Sequence, residues 1–215
     1  MSPETVVGTG LHADPDVVIG YPPTRKVPER LTLGPDAYLR SGSVIYRGSS
    51  IGARFETGHH VVIREGCTIG DDVSVWSGSV IDYGCHIGNS VKIHSNCYIA
   101  QYTEIGSGAF LAPGVTTAND LYPGSEASQQ VMSGPWIGAG ARVGVNVTIL
   151  PFVRIGAGAL VGAGSTVTRD VPDACVAFGN PAVVRGSVEA LAPVGARVQA
   201  APGSIARYRL AQRKR

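Results

Sequence analysis

The sequence predicts an all-β protein built as a parallel β-helix, and three columns of residues carry that prediction. Counting by six from Leu33, the positions Leu33, Leu39, Ile45, Ile51, Thr57, Ile63, Ile69, Val75, Ile81, Ile87, Ile93, Ile99, Ile105 and Leu111 make 14 consecutive hexads, 13 of them aliphatic. The phase breaks at Thr117 and resumes at Ile137, Val143, Ile149, Ile155, Val161 and Val167. Four residues after each of these positions stands a small or β-branched residue, with Phe55 as the exception. Three residues after it, Gly, Asn or Asp occupies 15 of 20 hexads. A helix repeats about every 3.6 residues and a half-buried strand about every 2, so a period of six is neither.

Each column has a physical reason. The aliphatic residues fill the interior, the small ones fit tight interior corners, and Gly, Asn and Asp tolerate the positive φ of a turn. Short strands joined this way form a triangular prism with about 18 residues per coil. With strands about 4.8 Å apart, 33–172 would make a prism roughly 32 Å tall. Its interior is filled, so chemistry must lie on the outside. Residues 1–32, with Pro15, Pro22, Pro23 and Pro28, are expected to begin as an irregular segment. An excursion loop is expected over 117–136, where the period of six is lost, and structureless insertions longer than about 12–15 residues are usually functional or disordered. The segment 173–215 ends in a basic stretch, 204–215, expected as a short helix or a frayed tail.

Composition bounds the rest. The 29 glycines in 215 residues are about 13%, near twice the ordinary 7% or so, yet they lack the collagen spacing. Net charge is +2, too small to argue for nucleic acid as a partner, and none is expected. No apolar run is long enough to span a membrane, and the start lacks a secretory pattern. Four cysteines without metal-type spacing point to a reducing compartment, hence a cytoplasmic protein. Cys67, Cys85 and Cys97 fall in the small column and read as packing.

Among polar residues, Arg40, Gly58, Trp76, His94 and Ala112 share one outward position on successive coils, with His59-His60 and Ser95-Asn96 at the corner that follows. His94 is not required by the fold, and imidazole is poised for proton transfer near neutral pH. His60 stands where a turn residue is expected, and broken local rules often mark function. The excursion, carrying Asn119, Asp120 and Tyr122, is expected to leave beside Asn96 and His94. Asn96 is counted with the acceptor side, although the turn column explains it without a ligand.

The columns [LIV]-G-x-x-[small]-x over 33–172 resemble the left-handed β-helix of hexapeptide acyltransferases. The stretch Val161–Pro172, followed by Gly179-Asn180-Pro181-Ala182, resembles the end of that family's prism. The resemblance implies acetyl-CoA as cosubstrate, with its pantetheine arm along Gly144, Gly162, Ala163 and Thr168 and its phosphates near Arg169 and Arg185. It implies a homotrimer with active sites between subunits. The stretch Thr117–Pro123 resembles the loop of N-acetyltransferases acting on nucleotide-linked amino sugars, and Thr57–Glu65 is similar to sugar-modifying members. Tyr122 stands where the sugar O-acetyltransferase branch has a catalytic His, which weakens that alternative.

The expected chemistry is direct attack of an amine on the thioester. His94 is the favoured base and His60 the reserve, while His59, Asn96, Asn119, Asp120 and Tyr122 face the acceptor. No metal is expected. A γ-type carbonic anhydrase would need three histidines on zinc, and His59, His60, His86 and His94 lack that family's spacing. A non-catalytic scaffold or ice-binding solenoid leaves the loop and the C-terminal stretch without a purpose.

Overall fold

A computed structural model describes residues 5–191. Within them, three sheets of eight, ten and eight strands form the sides of a prism. Most strands are two residues long and lie parallel to those one coil away: Thr68–Ile69 sits between Ser50–Ile51 and His86–Ile87. The chain passes from first sheet to second to third and back, winding a left-handed parallel β-helix.

The three sequence columns map onto this winding. Leu33, Leu39, Ile45, Ile63, Ile81, Ile93 and Ile99 are at most 1% exposed, each burial stabilising by about 1.5–3 kcal/mol. Every turn-column residue from Asp36 to Gly114 and from Gly140 to Gly164 has a positive φ. Arg54, His60, Ser90, Tyr102 and Phe152 do so without being Gly, Asn or Asp, at about 1–2 kcal/mol each. The glycines after the aliphatic residues have another cause. A Cβ at Gly34 would lie 2.5 Å from the carbonyl carbon of Gly52 in the next coil, so stacked coils exclude it.

Thr57 and Thr117 occupy the aliphatic column, and both are 2% exposed. The Thr57 hydroxyl accepts the Arg40 N–H at 2.9 Å, and the Thr117 hydroxyl accepts the Ala100 N–H at 2.7 Å. Each hydroxyl stands in for a ladder carbonyl, and at both places strand pairing shrinks to one register pair, Tyr38↔Glu56 and Tyr98↔Thr116.

The prism starts earlier than expected. Thr5–Val7, His12–Ala13 and Val18–Tyr21 form a coil beneath the first predicted one, with Val7, Ala13 and Ile19 paired to Leu33, Leu39 and Ile45. These three also keep a period of six, but they are 26 residues from their partners, not 18. An inserted strap over 22–30 hid the phase. The excursion is likewise shorter than 117–136, because Thr116–Thr117 and Trp136–Ile137 are strands of the third and first sheets. It contains one helical turn, Glu126–Gln129. Strap and excursion both leave from the corner between the third and first sheets. At the other end, Cys175–Gly179 extends the second sheet and Ala182–Ser187 pairs back on it antiparallel. The expected basic helix, 204–215, lies outside the described residues. None of the described helices is long and apolar enough to cross a membrane.

Candidate active site

The corner between the second and third sheets carries His59, His60 and His94, while His12 and His86 lie within strands of the second and first sheets. Backbone pairing sets Trp76 and His94 at equivalent positions one coil apart, their N–H groups donating to Ile93 and Leu111. The His94 ring is half-buried between Trp76, 4.0 Å away by ring centroids, and Phe110, 5.0 Å away. Burial first, and the Lys92 charge second, lower its pKa below the ordinary 6.5, so it is neutral at pH 7 and able to take a proton. Trp76 also walls a groove of about 190 Å³ lined by Arg40, Glu56, Gly58, His59, Ser77 and Ser95 among others.

His59 and His60 are exposed at this corner. The His59 N–H donates to the Ser77 hydroxyl at 3.0 Å. His60 lies against Gly42, where a Cβ would overlap its Nδ1. Asn96 covers Gly78 and Asn146 covers Gly114 in the same way. The corner column thus alternates glycine with a covering side chain, and His60 obeys that alternation, so packing alone accounts for its break with the Gly/Asn/Asp rule. Asp16 adds a charge beside it, its carboxyl held low chiefly by the Ser41 hydroxyl.

The excursion does not join them within one chain. It leaves from the corner between the third and first sheets, so Asn119 and His94 stand on different corners; the expectation that they are neighbours is not met. The reason is register: Asn96 closes the second sheet, whereas Thr117 closes the third. Asp120 accepts the Tyr122 N–H at 2.9 Å and the Ser128 hydroxyl, which ties the loop to itself. Tyr122 is 72% exposed.

Beneath the loop lies a polar cluster that the sequence reading missed. Glu65, fully buried, pairs with Arg64 at 2.8 Å and with Arg25 of the strap at 3.2 Å. Burial alone would raise the Glu65 carboxyl, but the arginines hold it below the ordinary value. Asp82, 6% exposed, accepts from Tyr98 at 2.8 Å and Gln101 at 2.9 Å. Tyr98 is pushed up to about 12, by burial first and then by that bond. The signal available was the run of charge one coil apart on the same corner, Arg64-Glu65 and then Asp82, 18 residues after Arg64.

The residues expected for the cosubstrate divide between two corners. Ala163 is exposed at the histidine corner, and Arg185 lies over the Phe178 ring, 5.6 Å from its centroid. Gly144 and Gly162 are filled against, by Ala163 and Phe178, so coil stacking requires them. Thr168 and Arg169 face solvent around the third sheet. Next to Ala163, a Cβ on Gly164 would meet nothing within 4 Å. Among the described residues, no three His, Cys, Asp or Glu side chains gather as a metal site.

A prism with a filled core and its polar chemistry on outer corners is the architecture of hexapeptide-repeat transferases. The family described as bacterial transferase hexapeptide (six repeats) matches at residues 48–82, 84–119 and 134–169, and the chain belongs to it. Arabidopsis UDP-N-acetylglucosamine acyltransferase shares the fold, at 18% identity over 87% of this chain and 74% of that one, with a TM-score of 0.55. PerB from Caulobacter crescentus, solved with CoA and GDP-perosamine, is 25% identical over 70% of this chain, with a TM-score of 0.28; the chain spans 57% of its length. AntD, an N-acyltransferase from Bacillus cereus solved with dTDP-4-amino-4,6-dideoxyglucose and coenzyme A, is 15% identical over 85% and 82% of the two chains, with a TM-score of 0.37. No curated protein matches the chain in sequence.

Proposed function

We propose that the protein transfers an acetyl group from acetyl-CoA to the amino group of a nucleotide-linked amino sugar by direct attack. The observation that carries this reading is the neutral His94 imidazole packed against Trp76, the wall of the outer groove. Acetyl-CoA supplies an activated acyl carbon. The amine nitrogen bonds to that carbon, the carbon–sulfur bond breaks, and the amine proton passes to His94, which returns it to the departing thiolate. An amine that binds uncharged asks little of its base, which suits an imidazole with a lowered pKa. Ala163, Gly164 and Arg185 would hold the cosubstrate arm and a phosphate.

The acceptor class rests on the residue resemblance of Thr117–Pro123, and the fold relative from Arabidopsis is by name an acyltransferase for a nucleotide-linked sugar. Because His94 and Asn119 lie on different corners, we place the site between subunits of a homotrimer, one providing His94 and its neighbour the loop. Thiol release from acetyl-CoA, followed against a panel of nucleotide-linked amino sugars and their hydroxyl counterparts, tests the reaction. Turnover is expected with the amines; turnover with hydroxyl acceptors alone would overturn the N-acetyl reading in favour of O-acetyl transfer.

A further inference from the structure

A chain of three side chains runs from the buried Asp82 to the base of the excursion, and its direction is set at one end. Asp82 Oδ1 accepts the Tyr83 N–H at 2.8 Å and faces an Arg64 nitrogen at 3.6 Å. Asp82 Oδ2 accepts from the Tyr98 hydroxyl at 2.8 Å and from Gln101 Nε2 at 2.9 Å. A carboxylate can only accept, so Gln101 must turn its nitrogen to Asp82 and its oxygen away. That oxygen, Oε1, accepts from Asn119 Nδ2, which also points at Met132 Sδ, 3.4 Å away. Both Asn119 amide hydrogens are thereby assigned, and among the described residues nothing donates to its Oδ1.

We propose that Asp82 and Gln101 are positioning residues that fix the Asn119 amide so that its oxygen is presented to the acceptor. The inference rests on the amine-acceptor reading above and deepens it. An amine carries N–H bonds to give and one lone pair to use. An oxygen that takes one N–H orients the lone pair toward the acyl carbon, whereas an outward NH2 would repel the N–H and compete for the lone pair.

Asp82→Asn reverses this chain without changing its shape. The Tyr83 N–H and Arg64 demand an oxygen on their side, so the new amide nitrogen faces Gln101. Gln101 then flips, Asn119 flips with it, and an NH2 group faces the acceptor. Asn119→Asp added to Asp82→Asn restores an acceptor, because a carboxylate takes the Gln101 N–H with one oxygen and offers the other outward.

The test uses the full chain and the amino sugar that the wild type turns over. Asp82→Asn is expected to lower kcat about 10- to 100-fold with KM changed less, and Asp82→Asn/Asn119→Asp to recover to within about threefold of wild type. Loss of a merely structural contact would not be repaired by a second change at residue 119. If kcat of Asp82→Asn stays within about twofold of wild type, or the double variant is no better than the single, the positioning chain is wrong. Should Asp82→Asn fail to fold, Gln101→Leu cuts the same chain at a half-buried position, and an unchanged kcat there overturns the proposal. A wild type that acetylates no amine sinks the acceptor reading and this inference together; normal amine turnover with unaffected variants sinks the inference alone.

Discussion

Packed between Trp76 and Phe110, with the rings tilted, His94 is held neutral by burial and by Lys92. As pH falls below 6.5, the unfolded chain takes up the proton first, so this group's contribution is intact above that pH and is lost until the lower folded value is reached. His94→Phe keeps the ring packing and removes the titration. Its thermal melting should therefore fall less between pH 6.5 and 5 than that of wild type, measured at equal ionic strength. The same variant should lose about tenfold or more in kcat/KM if the imidazole is the base; a smaller loss would remove His94 from that role. His60 makes the contrasting case, since covering Gly42 explains its place without chemistry.

At the level of a coil, the inward threonines show how the repeat is opened where the site begins. Thr57 precedes Gly58-His59-His60, and Thr117 precedes the excursion. In both, a hydroxyl takes a backbone N–H that a carbonyl takes in neighbouring coils. Thr117→Val keeps the shape and leaves the Ala100 N–H without that partner, in a residue only 1% exposed. The expected cost is about 1–3 kcal/mol of unfolding free energy in urea titration; a value near zero would mean that the ladder carbonyl recovers the bond. The strap and the excursion share one corner, and the Arg25–Glu65–Arg64 pairing holds the strap against the coil before that of Asp82, whose Oδ1 faces Arg64 at 3.6 Å.

For the whole molecule, the proposed homotrimer would bring the two corners together across a subunit interface. Mixing the impaired His94→Ala and Asn119→Ala chains under conditions of subunit exchange should raise activity above that of either alone. With random mixing in a closed trimer, about a quarter of the sites combine a native His94 with a native neighbouring loop. No recovery, with exchange shown by a tag, would place both groups in one chain.

The period of six was legible because an aliphatic residue must point inward once per side, so the sequence alone determined the prism, its turn column and its filled core. The first coil was written with the same period at Val7, Ala13 and Ile19, but the strap shifts its phase, and phase is resolved only by which strands pair. His94 and Asn119 were legible as unusual residues, yet not their separation, since position along the chain does not state the corner from which an excursion leaves. Asp82, Gln101 and Asn119 lie 19 and 18 residues apart in sequence, and only stacking of successive coils brings them into hydrogen-bond contact. Column chemistry was therefore settled by sequence, because it is local to each hexad. The direction of the polar chain and the division of the site between corners were decided by tertiary structure, because they depend on which coil lies on which.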